Sequence, residues 1–143
     1  MALSKIMYTT KVTVTGGRDG EAVSQDGHLN VKLGMPQELG GKGGEVTNPE
    51  QLFGAGYAAC FLSALNLVAG KKKVSLGPDA AITADVSLGQ AGEGLGLAVT
   101  LEIRLPGMDK AQAEELVELA HKTCPYSNAT RGNIDVTLVV KTA

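Results

Sequence analysis

Aromatic side chains are scarce in this sequence: they make up 3% of the 143 residues, and tryptophan is absent. Proteins that bind single-stranded nucleic acids stack bases on aromatic rings, so this scarcity argues against that class. Positive charge is not in excess either, because 13 basic side chains face 15 acidic ones and the formal net charge is -2. No long-range field favours a phosphate backbone or an anionic lipid surface. We expect neither nucleic acid nor a membrane as a partner.

Cysteine and histidine are also rare, with two of each. No apolar run follows Lys5 near the N-terminus, so no secretory signal is predicted and we expect a cytoplasmic protein. In that compartment, a pair of cysteines more often serves as reduced thiols, metal ligands or redox groups than as a permanent disulfide. The positions of Cys60 and Cys124 therefore matter most for the functional interpretation.

The remaining composition is typical of a globular protein. Apolar residues make up 43% of the chain and charged residues 20%, which are ordinary proportions for a folded protein. A length of 143 residues suits one domain with a substantial core. No internal repeat or low-complexity segment divides the chain. We predict a single domain over residues 1–143.

Short alternating segments separated by glycine turns fill the first third of the sequence. They are residues 8–15, 21–24 and 29–33. We predict a three-stranded meander here, followed by a flexible loop over residues 34–47. The glycines of that loop lack the spacing of a phosphate-binding loop. No nucleotide or other cofactor is predicted.

The central segment predicts one long core helix. Residues 48–51 (NPEQ) combine an N-cap, a proline at the first helical position and a glutamine placed for a capping box. Nearly every residue in 52–69 is apolar or small, so we expect the helix to be buried on all sides and to be ended by Gly70. The length approaches that of a membrane helix. Its glycines and alanines contribute little transfer free energy, however, and Asn66 would lie inside the hydrocarbon, so a core helix is the better interpretation.

The second half predicts two strands, a helix and a last strand. The two strands cover residues 81–88 and 95–105. The helix begins after an Asp109 cap and is stopped by Pro125, and the last strand covers residues 134–140. The complete order is three strands, a helix, two strands, a helix and a strand. Strands and helices do not alternate as they do in a parallel sheet, so we predict an α+β fold.

Both cysteines are predicted to face the core. Cys60 lies in the middle of the first helix, and Cys124 ends the apolar face of the second. They could meet in a reactive site. They could also be two inert core thiols, because free cysteine is often buried and apolar burial raises a thiol pKa. Spacing alone leaves both interpretations open.

A reactive thiol in apolar surroundings needs a positive charge nearby. Arg18 and Arg131 lie in segments that we predict to be loops, from which an arginine can reach over a pocket. Either arginine could equally be a solvent-exposed side chain. Glu50 could simply complement the dipole of the first helical turn.

A zinc site is the competing chemical interpretation. Cys60, Cys124, His28 and His121 are all possible ligands. Only His121 and Cys124 are locally paired, whereas structural zinc sites usually contain two close pairs. A non-enzymatic module that binds apolar ligands is a further alternative. Metal content and thiol loss on treatment with an alkyl hydroperoxide separate these classes.

Four segments of the sequence together indicate a known family. They are TGGRDG (15–20), TNPEQLF (47–53), GYAACF (56–61) and CPYSNATRGN (124–133). These segments closely resemble the bacterial organic hydroperoxide resistance proteins, and the similarity covers essentially the whole chain. The two central segments are shared with the sister osmotically inducible branch, which is the alternative assignment and has a different peroxide preference. The first and last segments resemble the hydroperoxide branch specifically.

The resemblance implies a fold, a reaction and four roles. It implies an intertwined homodimer with active sites at the subunit interface, in which two long antiparallel sheets wrap the paired central helices. Cys60 matches the cysteine that attacks an organic, lipid-like hydroperoxide, and Cys124 matches the cysteine that closes a disulfide with it. Arg18 matches the residue that stabilises the thiolate, and Glu50 the carboxylate that holds Arg18. An external dithiol, carried as a lipoyl group on a protein, is the implied reductant.

Overall fold

The computed structural model describes the whole chain, Met1–Ala143, and the chain divides into two compact units. Unit 1 is Met1–Pro49 and unit 2 is Glu50–Ala143. The expectation of one domain over residues 1–143 stays a prediction.

Unit 1 contains the predicted three-stranded meander. Its strands are β1 (Val12–Thr15), β2 (Glu21–Ser24) and β3 (Asn30–Lys32), all antiparallel and in that order across the sheet. The first strand is shorter than predicted, because its pairing with β2 ends where Val12 faces Ser24. Next to this pair, the Gln25 N–H donates to the Lys11 carbonyl at 2.9 Å, and residues 8–11 are not part of a strand.

The segment that follows β3 is more ordered than a flexible loop. Gln37–Leu39 forms one 3-10 turn, which ends at Gly40 in the left-handed region with φ 86°. The Gly34 N–H donates to the Thr47 carbonyl at 3.0 Å, and the Thr47 N–H donates to the Lys32 carbonyl at 2.9 Å. The two ends of the segment are thus tied to each other.

Unit 2 is built on helix α1 (Pro49–Lys71), which begins at the predicted proline. The helix continues past Gly70, which we had expected to end it. The chain reverses instead at Lys73, which has φ 58°. The Val74 N–H then donates to the Ala69 carbonyl at 2.9 Å. A lysine in the left-handed region is uncommon, and this explains why the sequence pattern pointed to the nearby glycine.

One side of α1 forms the core of unit 2, and the other side is exposed. Tyr57, Phe61 and Leu65 are fully buried, whereas Leu67 is 52% exposed. The prediction of burial on all sides is therefore wrong for the single chain. By length and composition α1 could cross a membrane. Its buried side chains nevertheless belong to the hydrophobic core of this unit, which identifies it as a core helix.

The sheet of unit 2 is mixed, not antiparallel as predicted. Strands β4 (Ala81–Ala91) and β5 (Gly94–Arg104) form a long antiparallel hairpin around Gly92, which has φ 57°. Strand β6 (Val136–Lys141) pairs with β5 in parallel. The chain runs from β5 through helical structure to β6, and such a crossover brings the second strand back in the same direction. The prediction overlooked this one strand-helix-strand unit.

Two helices make up the crossover. Helix α2 (Lys110–Thr123) starts at the predicted cap, where the Gln112 N–H donates to the Asp109 carboxylate at 3.1 Å. Helix α3 (Pro125–Thr130) occupies a segment that we had predicted to be irregular. Pro125 does end α2, but it also starts α3, because proline suits a first helical position. Cys124 lies at the corner between the two helices.

Candidate active site

The two cysteines lie side by side in unit 2. Helix α1 carries Cys60, and the corner between α2 and α3 carries Cys124. The Cys124 thiol donates to Cys60 Sγ at a sulfur–sulfur distance of 3.4 Å, and neither cysteine is in a disulfide. Cys124 is fully buried, whereas Cys60 is partly exposed. The structure therefore brings together the two thiols that the sequence predicted to face one core.

The surroundings of Cys60 favour its protonated form. Burial raises the pKa of the Cys60 thiol above its ordinary value of 9.0. The backbone N–H of Tyr126 donates a hydrogen bond to Cys60 and lowers the pKa, while the adjacent Cys124 side chain raises it again. A reactive thiolate at this position requires a positive charge in addition to these groups.

A buried hydroxyl network lies beside the thiol pair, and no sequence pattern predicted it. The Tyr57 hydroxyl is 2.9 Å from Ser127 Oγ and 3.1 Å from Thr130 Oγ1. Ser127 Oγ is also 2.9 Å from Nδ1 of His121. Every buried side-chain polar atom in the chain has a hydrogen-bond partner. These hydrogen bonds hold α3 against α1. Burying the hydroxyl groups costs little free energy because each of them has a hydrogen-bond partner.

Aromatic rings form an apolar surface along the same part of α1. Phe53, Tyr57 and Tyr126 have centroid separations of 5.9–6.3 Å. The ring of Tyr126 lies close to Gly56, where an added Cβ would be 3.0 Å from the Tyr126 hydroxyl oxygen. A glycine at residue 56 therefore allows α3 to approach α1 closely. Tyr126 itself remains 41% exposed.

Arg18 lies in the turn between β1 and β2 of unit 1 and is partly buried. The turn depends on its glycines, because a Cβ at Gly20 would lie 1.9 Å from the Thr15 carbonyl oxygen. Gly16 also has φ 76°, which a larger residue rarely adopts. Glu50 lies in the first turn of α1, in unit 2, and is also partly buried. The roles of Arg18 and Glu50 stay predictions.

Arg131, the other candidate for the positive charge, forms hydrogen bonds near the corner that carries Cys124. It follows α3 directly, in the turn before β6, so it lies in a loop as predicted. Its guanidinium donates to the Asn128 side-chain oxygen at 2.8 Å and to the carbonyl oxygen of His121. Burial lowers the pKa of His121, and the charge of Arg131 lowers it further. Arg131 is therefore engaged with the ends of α2 and α3.

The proposed zinc ligands do not form a cluster. No group of three or more His, Cys, Asp and Glu side chains is close enough to hold a metal ion. The His28 side chain is 89% exposed and lies 3.2 Å from the Asp26 carboxylate. Neither histidine adds a third ligand to the thiol pair.

Known proteins match this chain over most of its length. Residues 41–139 match the sequence model of the family described as OsmC-like protein. An organic hydroperoxide resistance protein of Xanthomonas axonopodis pv. citri is 56% identical over 136 residues, which cover 95% of this chain and 96% of that one. The organic hydroperoxide resistance protein OhrA of Bacillus subtilis is 47% identical over 141 residues, with 96% and 99% covered. The chain belongs to the organic hydroperoxide resistance proteins of the OsmC-like family.

The fold of this family member agrees with the assignment. A crystal structure of an organic hydroperoxide resistance protein from Legionella pneumophila superposes with a TM-score of 0.90 at 51% identity, and covers 96% of this chain and 99% of that one. The α+β fold is therefore that of solved organic hydroperoxide resistance proteins. Membership supports a role in peroxide detoxification during oxidative stress, with chemistry of the peroxidase type.

Proposed function

We propose that this chain is a thiol-dependent peroxidase that reduces organic, lipid-like hydroperoxides to alcohols. The observation that carries the proposal is the 3.4 Å separation of the two free thiols. Cys60 is the attacking group, because it is partly exposed and can meet a substrate, whereas Cys124 is fully buried behind it. Cys124 is the resolving group.

The proposed reaction has two steps on the protein. The Cys60 thiolate attacks the outer peroxide oxygen, the O–O bond breaks, and the alkoxide takes a proton and leaves as an alcohol. Cys60 is then a sulfenic acid. The Cys124 sulfur attacks it, the sulfenic hydroxyl leaves as water with the Cys124 proton, and a disulfide forms. An external dithiol, which we propose to be lipoyl-linked, restores both thiols by exchange.

Arg18 is the proposed source of the positive charge that the Cys60 thiolate needs. The support is chemical: burial raises the pKa of Cys60, and a guanidinium is a permanently charged, planar donor that favours the thiolate and polarises peroxide oxygens. Glu50 is the proposed carboxylate that holds Arg18 in place. Both assignments rest on the match of the TGGRDG and NPE segments to the family.

The proposed substrate preference follows from the aromatic surface beside the thiols. Phe53 is partly buried and Tyr126 is 41% exposed, so apolar ring surface is available near Cys60. Such surface favours the alkyl chain of an organic hydroperoxide over hydrogen peroxide. Equal turnover of an alkyl hydroperoxide and hydrogen peroxide would contradict this preference.

We also propose a cytoplasmic homodimer. The exposed side of α1 consists largely of small and apolar residues, which allow close approach of a second copy. It includes Ala55, Ala59, Ser63 and Leu67.

The experiment that tests the proposed function is a count of free thiols before and after one equivalent of an alkyl hydroperoxide. The wild type should lose both thiols, and Cys60→Ser should keep Cys124 reduced. If neither thiol of the wild type reacts, the cysteines are structural and the proposal is wrong. If Cys124 is consumed in Cys60→Ser, the assignment of the attacking group is wrong.

A further inference from the structure

Two contacts join α1 to the segment that carries Cys124, and they lie one helical turn apart. One is the sulfur–sulfur contact of Cys60 and Cys124 at 3.4 Å. The other is the hydroxyl contact of Tyr57 and Ser127 at 2.9 Å. Tyr57 precedes Cys60 by one turn of α1, and Ser127 follows Cys124 by one turn. Because residues at this spacing share a helix face, the hydroxyl pair lies directly beside the thiol pair.

The hydroxyl contact helps determine where Cys124 sits. Helix α3 has six residues and cannot hold its position by helix formation alone, so tertiary contacts must do so. Tyr57 supplies two of them, to Ser127 and to Thr130 at 3.1 Å. Tyr57 and Ser127 are fully buried, so water does not readily replace a lost partner. The first residue of α3 is bonded directly to Cys124.

Resolution of the proposed sulfenic acid is sensitive to this position. A disulfide bond is about 2.05 Å long, so the sulfurs, now 3.4 Å apart, must approach by roughly 1.3 Å. A sulfenic acid that waits for its partner can react with a second hydroperoxide and become a sulfinic acid. The ratio of disulfide to sulfinic acid therefore depends on how often the Cys124 sulfur is within reach of Cys60.

We propose that Tyr57 is a positioning residue for the resolving step, which it controls by holding α3, and with it Cys124, against Cys60. This inference rests on the proposed two-cysteine chemistry. Tyr57 acts through Ser127 and Thr130 and takes no part in bond making or breaking. Its loss should therefore slow disulfide formation and leave the attack of Cys60 on the hydroperoxide nearly unchanged.

The test compares Tyr57→Phe with the wild type and with Tyr8→Phe, which removes a hydroxyl from a tyrosine that is 79% exposed. Stopped-flow consumption of an alkyl hydroperoxide measures the first step. Quenching with a thiol-alkylating reagent, followed by intact mass, measures the fractions of disulfide and of sulfinic acid at increasing hydroperoxide. We expect about tenfold slower disulfide formation in Tyr57→Phe, the effect of losing the buried hydrogen bonds from Tyr57 to Ser127 and Thr130, and a matching rise in sulfinic acid.

Ser127→Ala removes the same contact from the other side and serves if Tyr57→Phe does not fold. The double variant should resolve faster than the sum of the two single effects would predict, because both substitutions remove the same Tyr57–Ser127 contact. If the ratio of disulfide to sulfinic acid is the same in the wild type and in the variants, the proposed role of Tyr57 is wrong. Absence of any Cys60 oxidation in the wild type instead overturns the proposed function itself. The two failures are thus distinguishable.

Discussion

Leu67 and Leu65 are close neighbours on α1 in different surroundings, and they provide a matched test of the proposed homodimer. Leu67 is 52% exposed in the single chain, whereas Leu65 is fully buried in the core of unit 2. Complete burial of a leucine side chain contributes roughly 1.5–3 kcal/mol. About half of Leu67 remains to be covered, so a second copy that covers it would gain roughly 1 kcal/mol from each subunit.

We therefore expect Leu67→Ala to weaken the dimer by roughly 2 kcal/mol, which is about thirtyfold in the dissociation constant. Sedimentation equilibrium over a range of protein concentrations measures this change. Leu65→Ala should instead lower the free energy of unfolding by about 2–5 kcal/mol, because it leaves a cavity in the core. Urea unfolding measures that loss.

Two results refute this reasoning. One is a wild type that sediments as a monomer at every concentration. The other is a Leu67→Ala variant that sediments like the wild type while Leu65→Ala is destabilised as expected, because the exposed side of α1 then has no role in association.

Three further outcomes can be measured. Cys124→Ser should convert Cys60 to a sulfinic acid within a few turnovers, seen by intact mass as two added oxygen atoms; a stable reduced Cys60 would contradict the assigned order. Arg18→Gln should shift the pH profile of Cys60 alkylation to higher pH, and an unchanged profile would remove Arg18 from the proposed site. His121 has a pKa lowered from 6.5, so the unfolded chain binds its proton more readily. Stability should therefore fall as the pH drops below about 6.5 and level off below the folded pKa of His121. The free energy of unfolding of His121→Asn, measured in urea, should lack this pH-dependent contribution. A pH dependence identical to that of the wild type would contradict the contribution assigned to His121.

Local signals were sufficient for much of the fold. The start of α1 at Pro49 and the cap at Asp109 were predictable because the residues that make a helix begin are adjacent in sequence. The meander of unit 1 follows from short alternating segments between glycine turns. The inward orientation of Cys60 and Cys124 follows from helical spacing.

Features that depend on distant contacts were not predictable in this way. Helix α3 is too short to be recognised by periodicity, and its position depends on Tyr57, which is far away in sequence. The parallel pairing of β6 depends on the path of the whole crossover. Whether the outer side of α1 is covered depends on a second chain. The roles of Arg18 and Glu50 came from resemblance to a family, because neither residue type indicates such a role by itself.

The location of the thiol pair has a thermodynamic consequence for the chain as a whole. Cys60 and Cys124 are separated by 64 positions in sequence, and the chain between them includes β4, β5 and α2. A disulfide between them would close a large loop in the unfolded chain and reduce its entropy, which stabilises the folded state by about 4 kcal/mol. Reduction releases this constraint. In the proposed catalytic cycle the protein would therefore alternate between a cross-linked form that melts at a higher temperature and an open form that melts at a lower one.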